Sequence, residues 1–244
     1  MRDYEVELAK RAAFIRDTLA AAHASGVVYG NSGGKDSALV GILCKTACSN
    51  TVGVIMPCTS SRNYGEDKAD AEMIAKQFGI ETRVVDLSDV KSELLRSLEG
   101  KARLCDTASS NIAPRLRMTA LYALAANESL LVAGTGNRSE GYMGYFTKWG
   151  DGAFDLNPIS DLTVTEIYEF LRFLGAPQTI IDKAPSAGLF DGQTDENEMG
   201  LSYSSIDKFL LHGVVSGQDK AIIEKRHNAS EHKRNMPVVF EEAR

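Results

Sequence analysis

The sequence holds only four histidines and four cysteines in 244 residues. No two cysteines have Cys-x-x-Cys spacing, and no histidines cluster beside Cys44, Cys48, Cys58 or Cys105. A zinc ribbon, a redox dithiol and a disulfide framework are therefore not expected. The four thiols read as reduced packing or surface groups. No apolar run reaches the roughly 18 residues that a membrane-spanning helix needs. The first residues mix acids and bases, and Arg16, Asp17 and His23 interrupt the stretch from Ala12 to Ala24. No secretory leader is expected, and a cytoplasmic location follows. Positive charge is also in short supply: 27 Lys and Arg stand against 33 Asp and Glu, a net charge of −6. That balance speaks against a protein that coats nucleic acid or an anionic membrane. It leaves room for a local basic pocket around a phosphorylated small molecule.

Apolar material is ample. Hydrophobic residues make up 43% of the chain, enough for a core without metal or disulfide staples. Its distribution follows a pattern. Short apolar runs at Gly26–Tyr29, Thr51–Met56, Glu81–Leu87 and Ser129–Ala133 read as strands. Helical spacing appears over Tyr4–Ala24, Asp36–Ala47, Tyr64–Gly79, Ser88–Leu98 and Asn111–Glu128. Strands alternating with helices predict βαβ units and a parallel sheet. The C-terminal third is less regular. A loop-rich stretch runs from Gly141 to Pro158, and helices are expected near Val164–Leu174, Ser204–Leu211 and Gln218–His227. The polar stretch from Gly188 to Gly200 is expected to be a variable loop that closes over a bound intermediate. One α/β domain over residues 1–244, with a helical, loop-rich C-terminal part, is the economical organisation.

Ligands of open parallel sheets sit beyond the carboxyl ends of the strands. Small and polar residues lie at those places. Gly30-Asn31-Ser32-Gly33-Gly34-Lys35-Asp36-Ser37 follows the first strand, Ser60-Ser61-Arg62 the second, and Gly134-Thr135-Gly136-Asn137-Arg138-Ser139-Glu140 the fourth. The first of these is not a Walker A loop, because Asp36 follows Gly34-Lys35 and Tyr29 stands where that motif needs glycine. It is not a dinucleotide fingerprint either. Yet two glycines before a helix start allow close approach of an anion to free N–H groups at the positive end of the helix dipole. Ser32 and Ser37 add hydroxyls. A carboxylate at Asp36 beside an anion implies a cation between them, as Mg2+ stands between a carboxylate and nucleotide phosphates. The competing explanation is a plain glycine-rich turn with Asp36 or Ser37 as helix cap.

The hexapeptide Ser32–Ser37 resembles the pyrophosphate loop of the N-type ATP pyrophosphatases, which cleave ATP between its α and β phosphates. Downstream segments narrow the resemblance. They are Asn111–Met118, Thr135–Glu140, Tyr145–Gly152 with Asp155–Ile159, Pro185–Leu189, Gln193–Glu196, and Glu231-His232-Lys233-Arg234. In order and spacing these are similar to the ammonia-dependent NAD synthetases, from about Gly30 to Arg234.

That resemblance implies an open doubly wound parallel sheet of the adenine nucleotide alpha hydrolase-like type, with helices on both faces. It implies a carbon–nitrogen ligase with ATP as co-substrate. The nicotinate carboxylate of deamido-NAD attacks ATP, and ammonia then displaces AMP. Gly30, Asn31, Ser32, Gly33, Gly34, Lys35, Asp36 and Ser37, with Thr135 and Ser186, match ATP-binding positions. Asp36 and Glu140 match Mg2+ ligands, with an acid in the first turn of a helix as the lesser alternative for Glu140. Arg115, Lys148, Asp155, His232 and Lys233 match deamido-NAD contacts; Lys148, Lys233 and His232 would otherwise read as ordinary surface charge. Asp151 is the candidate that holds ammonium and takes its proton. Arg117 is assigned to structure or to a neighbouring contact, since residues two apart on a helix do not share a face. Many family members carry lysine where this chain has Val164; either Lys35 supplies the displaced charge or turnover is weaker than the motifs imply. A homodimer is implied. No stretch offers a nitrilase-like glutaminase domain, so ammonia is expected from solution or a separate glutaminase. Two other classes compete: a tRNA-modifying enzyme with the same ATP chemistry, which would want basic surface or catalytic cysteines, and a nucleotide sensor, which would not need both Asp36 and Glu140.

Overall fold

The computed structural model describes residues 2–58, 64–183 and 194–240. Its centre is a sheet of four parallel strands: β1 (Gly26–Gly30), β2 (Thr51–Ile55), β3 (Glu81–Val84) and β4 (Leu130–Ala133), in the order β3-β2-β1-β4. The register places Val28 of β1 between Val52 of β2 and Val132 of β4. The chain builds outward from β1 through β2 to β3, then returns to the other side of β1. The point where strand order reverses is therefore the gap between β1 and β4, at their carboxyl ends.

Alternation along β1 feeds two cores. Val27 and Tyr29 face one cluster, formed with α1 (Tyr4–Ala21), α2 (Lys35–Ala47), α3 (Glu66–Phe78) and α8 (Val164–Phe173). Val28, with Val52, Val54 and Val132, faces the other, formed chiefly with α6 (Ile112–Glu128). Helices thus cover both faces, as the run of β-branched residues requires. Tyr29 is fully buried, and its ring fills the space left by two glycines. A Cβ on Gly41 would lie 2.2 Å from the Tyr29 hydroxyl oxygen, and one on Gly53 would lie 3.0 Å from it. That hydroxyl has no hydrogen-bond partner among the described residues.

Helix limits follow local chemistry. Asp3 caps α1, its Oδ1 accepting from the Val6 N–H at 3.2 Å. The helix stops at Ala21, short of the expected Ala24, and His23 then takes the left-handed region. Gly79 ends α3 with φ +65°. The remaining long helices, α4 (Ser88–Leu98), α11 (Tyr203–His212) and α12 (Gly217–Ala229), lie where helical spacing placed them. Among the described residues, five short helices had no periodicity to announce them: α5 (Asp106–Ser110), α7 (Arg138–Met143), α9 (Gln178–Asp182), α10 (Asp195–Met199) and α13 (Glu231–Arg234).

One expectation is corrected here. Residues 194–200, the described part of the stretch expected to be a mobile loop, hold helix α10. Its Met199 is buried against Met143, Val164, Tyr203 and Ile206, and its Asp195 accepts from the Tyr145 and Tyr203 hydroxyls at 3.2 and 3.0 Å. Apolar and polar anchors at both ends hold it down. The rest of that stretch lies outside the described residues, as do Ser186, Ser60, Ser61 and Arg62. Among the described residues no helix is long and apolar enough to cross a membrane.

Candidate active site

The loop between β1 and α2 is held from below. Asn31 N–H donates to the Val54 carbonyl at 2.8 Å, and Asn31 Nδ2 to the Ala71 carbonyl at 3.1 Å. Gly33 takes φ +73°, and a Cβ there would lie 2.1 Å from the Asp67 carbonyl oxygen. Glycine is thus required twice over, by backbone and by space. Gly34 is different: its φ is −93° and no neighbour crowds it. Gly34 is the N-cap of α2 and no side chain caps the helix, so neither Asp36 nor Ser37 plays the capping role. Ser37 instead donates from Oγ to the Gly34 carbonyl and lies 3.1 Å from Ser32 Oγ. A helix start without a side-chain acceptor leaves N–H groups for an anion.

The turn after β4 meets this loop. Asn137 caps α7 in a capping box with Glu140: its side chain accepts from the Glu140 N–H at 2.9 Å, and Glu140 Oε2 accepts from the Asn137 N–H at 3.0 Å. Asn137 also donates from Nδ2 to Asp36 Oδ1 at 3.0 Å. Lys35 Nζ lies 2.7 Å from Asp36 Oδ2. Glu140 is therefore both the expected first-turn acid and a neighbour of Asp36. Burial, and then the charge of Asp36, push its carboxyl well above the ordinary value, against the pull of Lys35. For Lys35, burial works to lower the ammonium pKa, but Asp36 and Glu140 outweigh it and raise it.

These groups share a cavity of about 600 Å³ with Thr135, Asp151, Arg117, Lys183 and Lys233. The volume suits a nucleotide-sized ligand. Asp151 Oδ1 accepts from the Thr147 N–H at 2.9 Å. Its carboxyl is open to the cavity yet enclosed by the surrounding protein; that enclosure raises its pKa, and the Thr147 N–H and Lys233 only partly offset it. Lys233 donates from Nζ to the Gly144 and Phe146 carbonyls, both at 2.8 Å. Asp36 and Glu140 suit a hard divalent cation. Among the described residues no group of three or more acidic, histidine or cysteine side chains gathers. One or two carboxylates completed by phosphate oxygens and water is how Mg2+ is usually held at a nucleotide.

The remaining expected residues lie elsewhere. Arg115, Lys148 and His232 meet outside the cavity wall. Arg115 Nη2 donates to the Lys148 carbonyl at 3.3 Å, and Lys148 Nζ donates to the His232 carbonyl. Asp155 accepts from the Tyr122 hydroxyl at 3.1 Å and from the Val132 N–H at 2.8 Å. Tyr122 lies two turns along α6 from Arg115, about 10 Å at 1.5 Å per residue, on the same side of the helix; Arg115 and Asp155 are exposed, whereas Tyr122 is half-buried against the core under the sheet. Val164 is buried beside Met143, Met199 and Tyr203.

Two further cations line the cavity: Arg117, which the sequence placed only as structure or a neighbouring contact, and Lys183, which it did not single out. Arg117, on another face of α6 from Arg115, donates from Nε to the Met56 carbonyl at 3.0 Å; burial lowers its pKa. Lys183 bridges Asp67 and Asp70 at 2.9 and 2.6 Å and lies 3.5 Å from the Gly33 carbonyl. Two-residue spacing was the available sign for Arg117. Nothing local marks Lys183, because its partners are on α3.

Comparison with known proteins gives this geometry a lineage. The NAD synthase family model matches residues 7–237. The NH(3)-dependent NAD(+) synthetase of Carboxydothermus hydrogenoformans is 47% identical over 240 residues, 97% of this chain and 98% of that protein. The chain belongs to the NAD synthase family. Among solved structures, the NMN synthetase from Francisella tularensis is similar with a TM-score of 0.93 and 36% identity, covering 98% of this chain and 99% of that one. The NH3-dependent NAD synthetase from Campylobacter jejuni has a TM-score of 0.82 and 29% identity, covering 99% and 100%. The parallel sheet with helices on both faces is the sheet of these NAD synthase relatives, an adenine nucleotide alpha hydrolase-like fold.

Proposed function

We propose that this chain is a ligase that amidates the nicotinate carboxylate of deamido-NAD with ammonia, using ATP and releasing AMP and pyrophosphate by way of an adenylated nicotinate. One observation carries the reading. A helix start without a side-chain cap, two converging carboxylates and a third, separate carboxylate at Asp151 open into the same cavity.

Each group has a task. A carboxylate ionised at neutral pH is a poor electrophile, and adenylation gives it a leaving group. The loop from Gly30 to Ser37 binds the ATP phosphates, and its N–H groups take up charge that develops on the departing pyrophosphate. Thr135 and Ser186 complete the ATP contacts. Asp36 and Glu140 hold Mg2+, which supplies charge neutralisation at the phosphates when bound. Asp151, its pKa raised by enclosure, holds ammonium and accepts its proton; the freed ammonia attacks the acyl carbon and AMP leaves. Arg115, Lys148, Asp155, His232 and Lys233 hold the acceptor dinucleotide. Because Arg115, Lys148 and Asp155 lie on an exposed face, a second copy of the chain covering it suits a homodimer. Ammonia comes from solution or a separate glutaminase, in the cytoplasm.

The experiment is direct. Purified protein with ATP, Mg2+, deamido-NAD and ammonium is expected to form NAD and pyrophosphate in equal amounts. No NAD at any ammonium concentration overturns the reading. The likeness to an NMN synthetase supports a second acceptor, nicotinate mononucleotide, which has the same reacting carboxylate and lacks the adenylate half. The ratio of kcat/KM for the two acceptors decides between them. Arg115→Ala is expected to lower turnover of the dinucleotide more than that of the mononucleotide if the exposed face holds the distal half.

A further inference from the structure

Among the described residues, Asp36 has one ion-pair partner, and it comes from the adjacent position. Lys35 is 6% exposed, although most lysines reach solvent. Its Nζ lies 2.7 Å from Asp36 Oδ2 and 5.5 Å from the centre of the Tyr203 ring. The other Asp36 oxygen is held by Asn137 Nδ2. Glu140 closes the same corner through its bond to the Asn137 N–H. One carboxylate thus grips the ammonium, and a second, held by the same asparagine, bears on its charge, in a wall of the cavity where phosphates are expected.

Other cations of the cavity have different commitments. Lys183 is gripped by Asp67 and Asp70 of α3. Lys233 is bound to two carbonyls, and Arg226 donates to the Glu198 carbonyl. Lys35 differs because its partner is itself a proposed metal ligand. A divalent cation binding at Asp36 meets an ammonium already seated on the carboxylate, and charge repulsion drives that ammonium off. Its four-carbon stem is rooted in the first residue of α2, at the phosphate-facing end of the helix. From that root the displaced charge can turn toward the phosphates once nucleotide is bound.

We infer that Lys35 is a resident counter-ion of the Asp36–Glu140 pair which, on metal binding, transfers its positive charge to the departing pyrophosphate. This rests on the metal assignment of the proposed reaction. It makes Lys35 a competitor of the metal when nucleotide is absent and a helper of the leaving group when nucleotide is present.

The two roles give opposite effects on removal, which a structural lysine would not. Mn2+ alone is titrated into nucleotide-free wild type and Lys35→Met, with free Mn2+ read by electron paramagnetic resonance. The variant is expected to bind Mn2+ on the order of tenfold more tightly. Pyrophosphate release at saturating Mg2+ is expected to fall on the order of tenfold or more. Equal Mn2+ affinity in the two proteins, measurable or absent in both, overturns the counter-ion role. Unchanged pyrophosphate release overturns the transfer of charge. Lys35→Gln, which keeps a donor for Asp36 without the charge, is measured in parallel and stands in if the methionine variant fails to fold. The Mn2+ arm involves no substrate, so a wild type that makes no NAD would sink the proposed reaction without deciding this one.

Discussion

Asn137 donates from Nδ2 to Asp36 Oδ1 at 3.0 Å, and so ties the turn after β4 to the turn after β1 across the strand-order reversal. The same side chain caps α7. One amide therefore sets the spacing of Asp36 and Glu140, which come from turns about a hundred residues apart in the chain. Replacing either carboxylate tests whether the pair is a metal site. Asp36→Ala and Glu140→Ala are each expected to lower pyrophosphate release by about 10²-fold or more, with circular dichroism unchanged. Near-wild-type turnover in either variant at saturating Mg2+ would remove that residue from the site.

Gly33→Ala is expected to disturb loop and fold together. Its Cβ would need to displace the Asp67 carbonyl, 2.1 Å away, at a residue with φ +73°. A loss of about 2 kcal/mol or more in stability is expected, together with a raised KM for ATP. Chemical denaturation and steady-state kinetics measure the two. Gly34→Ala, at a position without crowding or positive φ, is expected to cost much less stability. Equal losses at the two positions would contradict this account of the loop.

Asp151→Asn separates the two half-reactions. In the proposed reaction adenylation does not need this carboxylate, so a burst of pyrophosphate in the first turnover is expected to survive. NAD formation is expected to fall on the order of tenfold or more. Enclosure raises the Asp151 pKa, so the acid limb of kcat/KM for ammonia is expected at higher pH than an ordinary carboxylate would give. The variant is expected to lack that limb. A pH profile shared by variant and wild type would take Asp151 out of the proton transfer.

Glu166 offers a stability test away from the cavity. Its carboxylate accepts from Arg2 Nε at 2.7 Å and from the Thr163 N–H at 2.8 Å. Burial acts to raise its pKa, but the Thr163 N–H and Arg2 outweigh that and leave it lowered. A carboxylate with a lowered folded pKa stabilises the fold fully above its unfolded value and loses that contribution as pH falls through the folded one. Glu166→Gln is thus expected to cost about 1–2 kcal/mol at neutral pH, with the gap to wild type closing below about pH 4. A gap that stays constant or widens on acidification would reverse the sign.

How much of this was legible in the sequence depends on the range of the interaction that sets each feature. Strands and long helices follow from apolar spacing within a few residues of themselves, so β1 to β4 and α1, α2 and α6 were readable. The short helices α7 and α10 owe their existence to Asn137 and to Asp195 held by two tyrosines, contacts without a periodic pattern. The loop from Gly30 to Ser37 was readable from composition as a glycine-rich turn at a helix start. Which glycine is obligatory was not, because that depends on the Asp67 carbonyl of a helix more than thirty residues on. Arg115 and Arg117 show the same limit: spacing said that they diverge, but only packing says that Arg117 is the one at the cavity.

Tyr29, Gly41 and Gly53 behave as a single volume divided among three positions. The ring occupies what side chains on the helix and the neighbouring strand would otherwise fill. Such a trio is inherited as a set: a lineage that trades the tyrosine for a smaller residue opens room for alanine at either glycine, while alanine at Gly41 in the presence of the ring has nowhere to go. Relatives of this chain are accordingly expected to change these positions in concert, with total volume kept constant while the individual residues exchange.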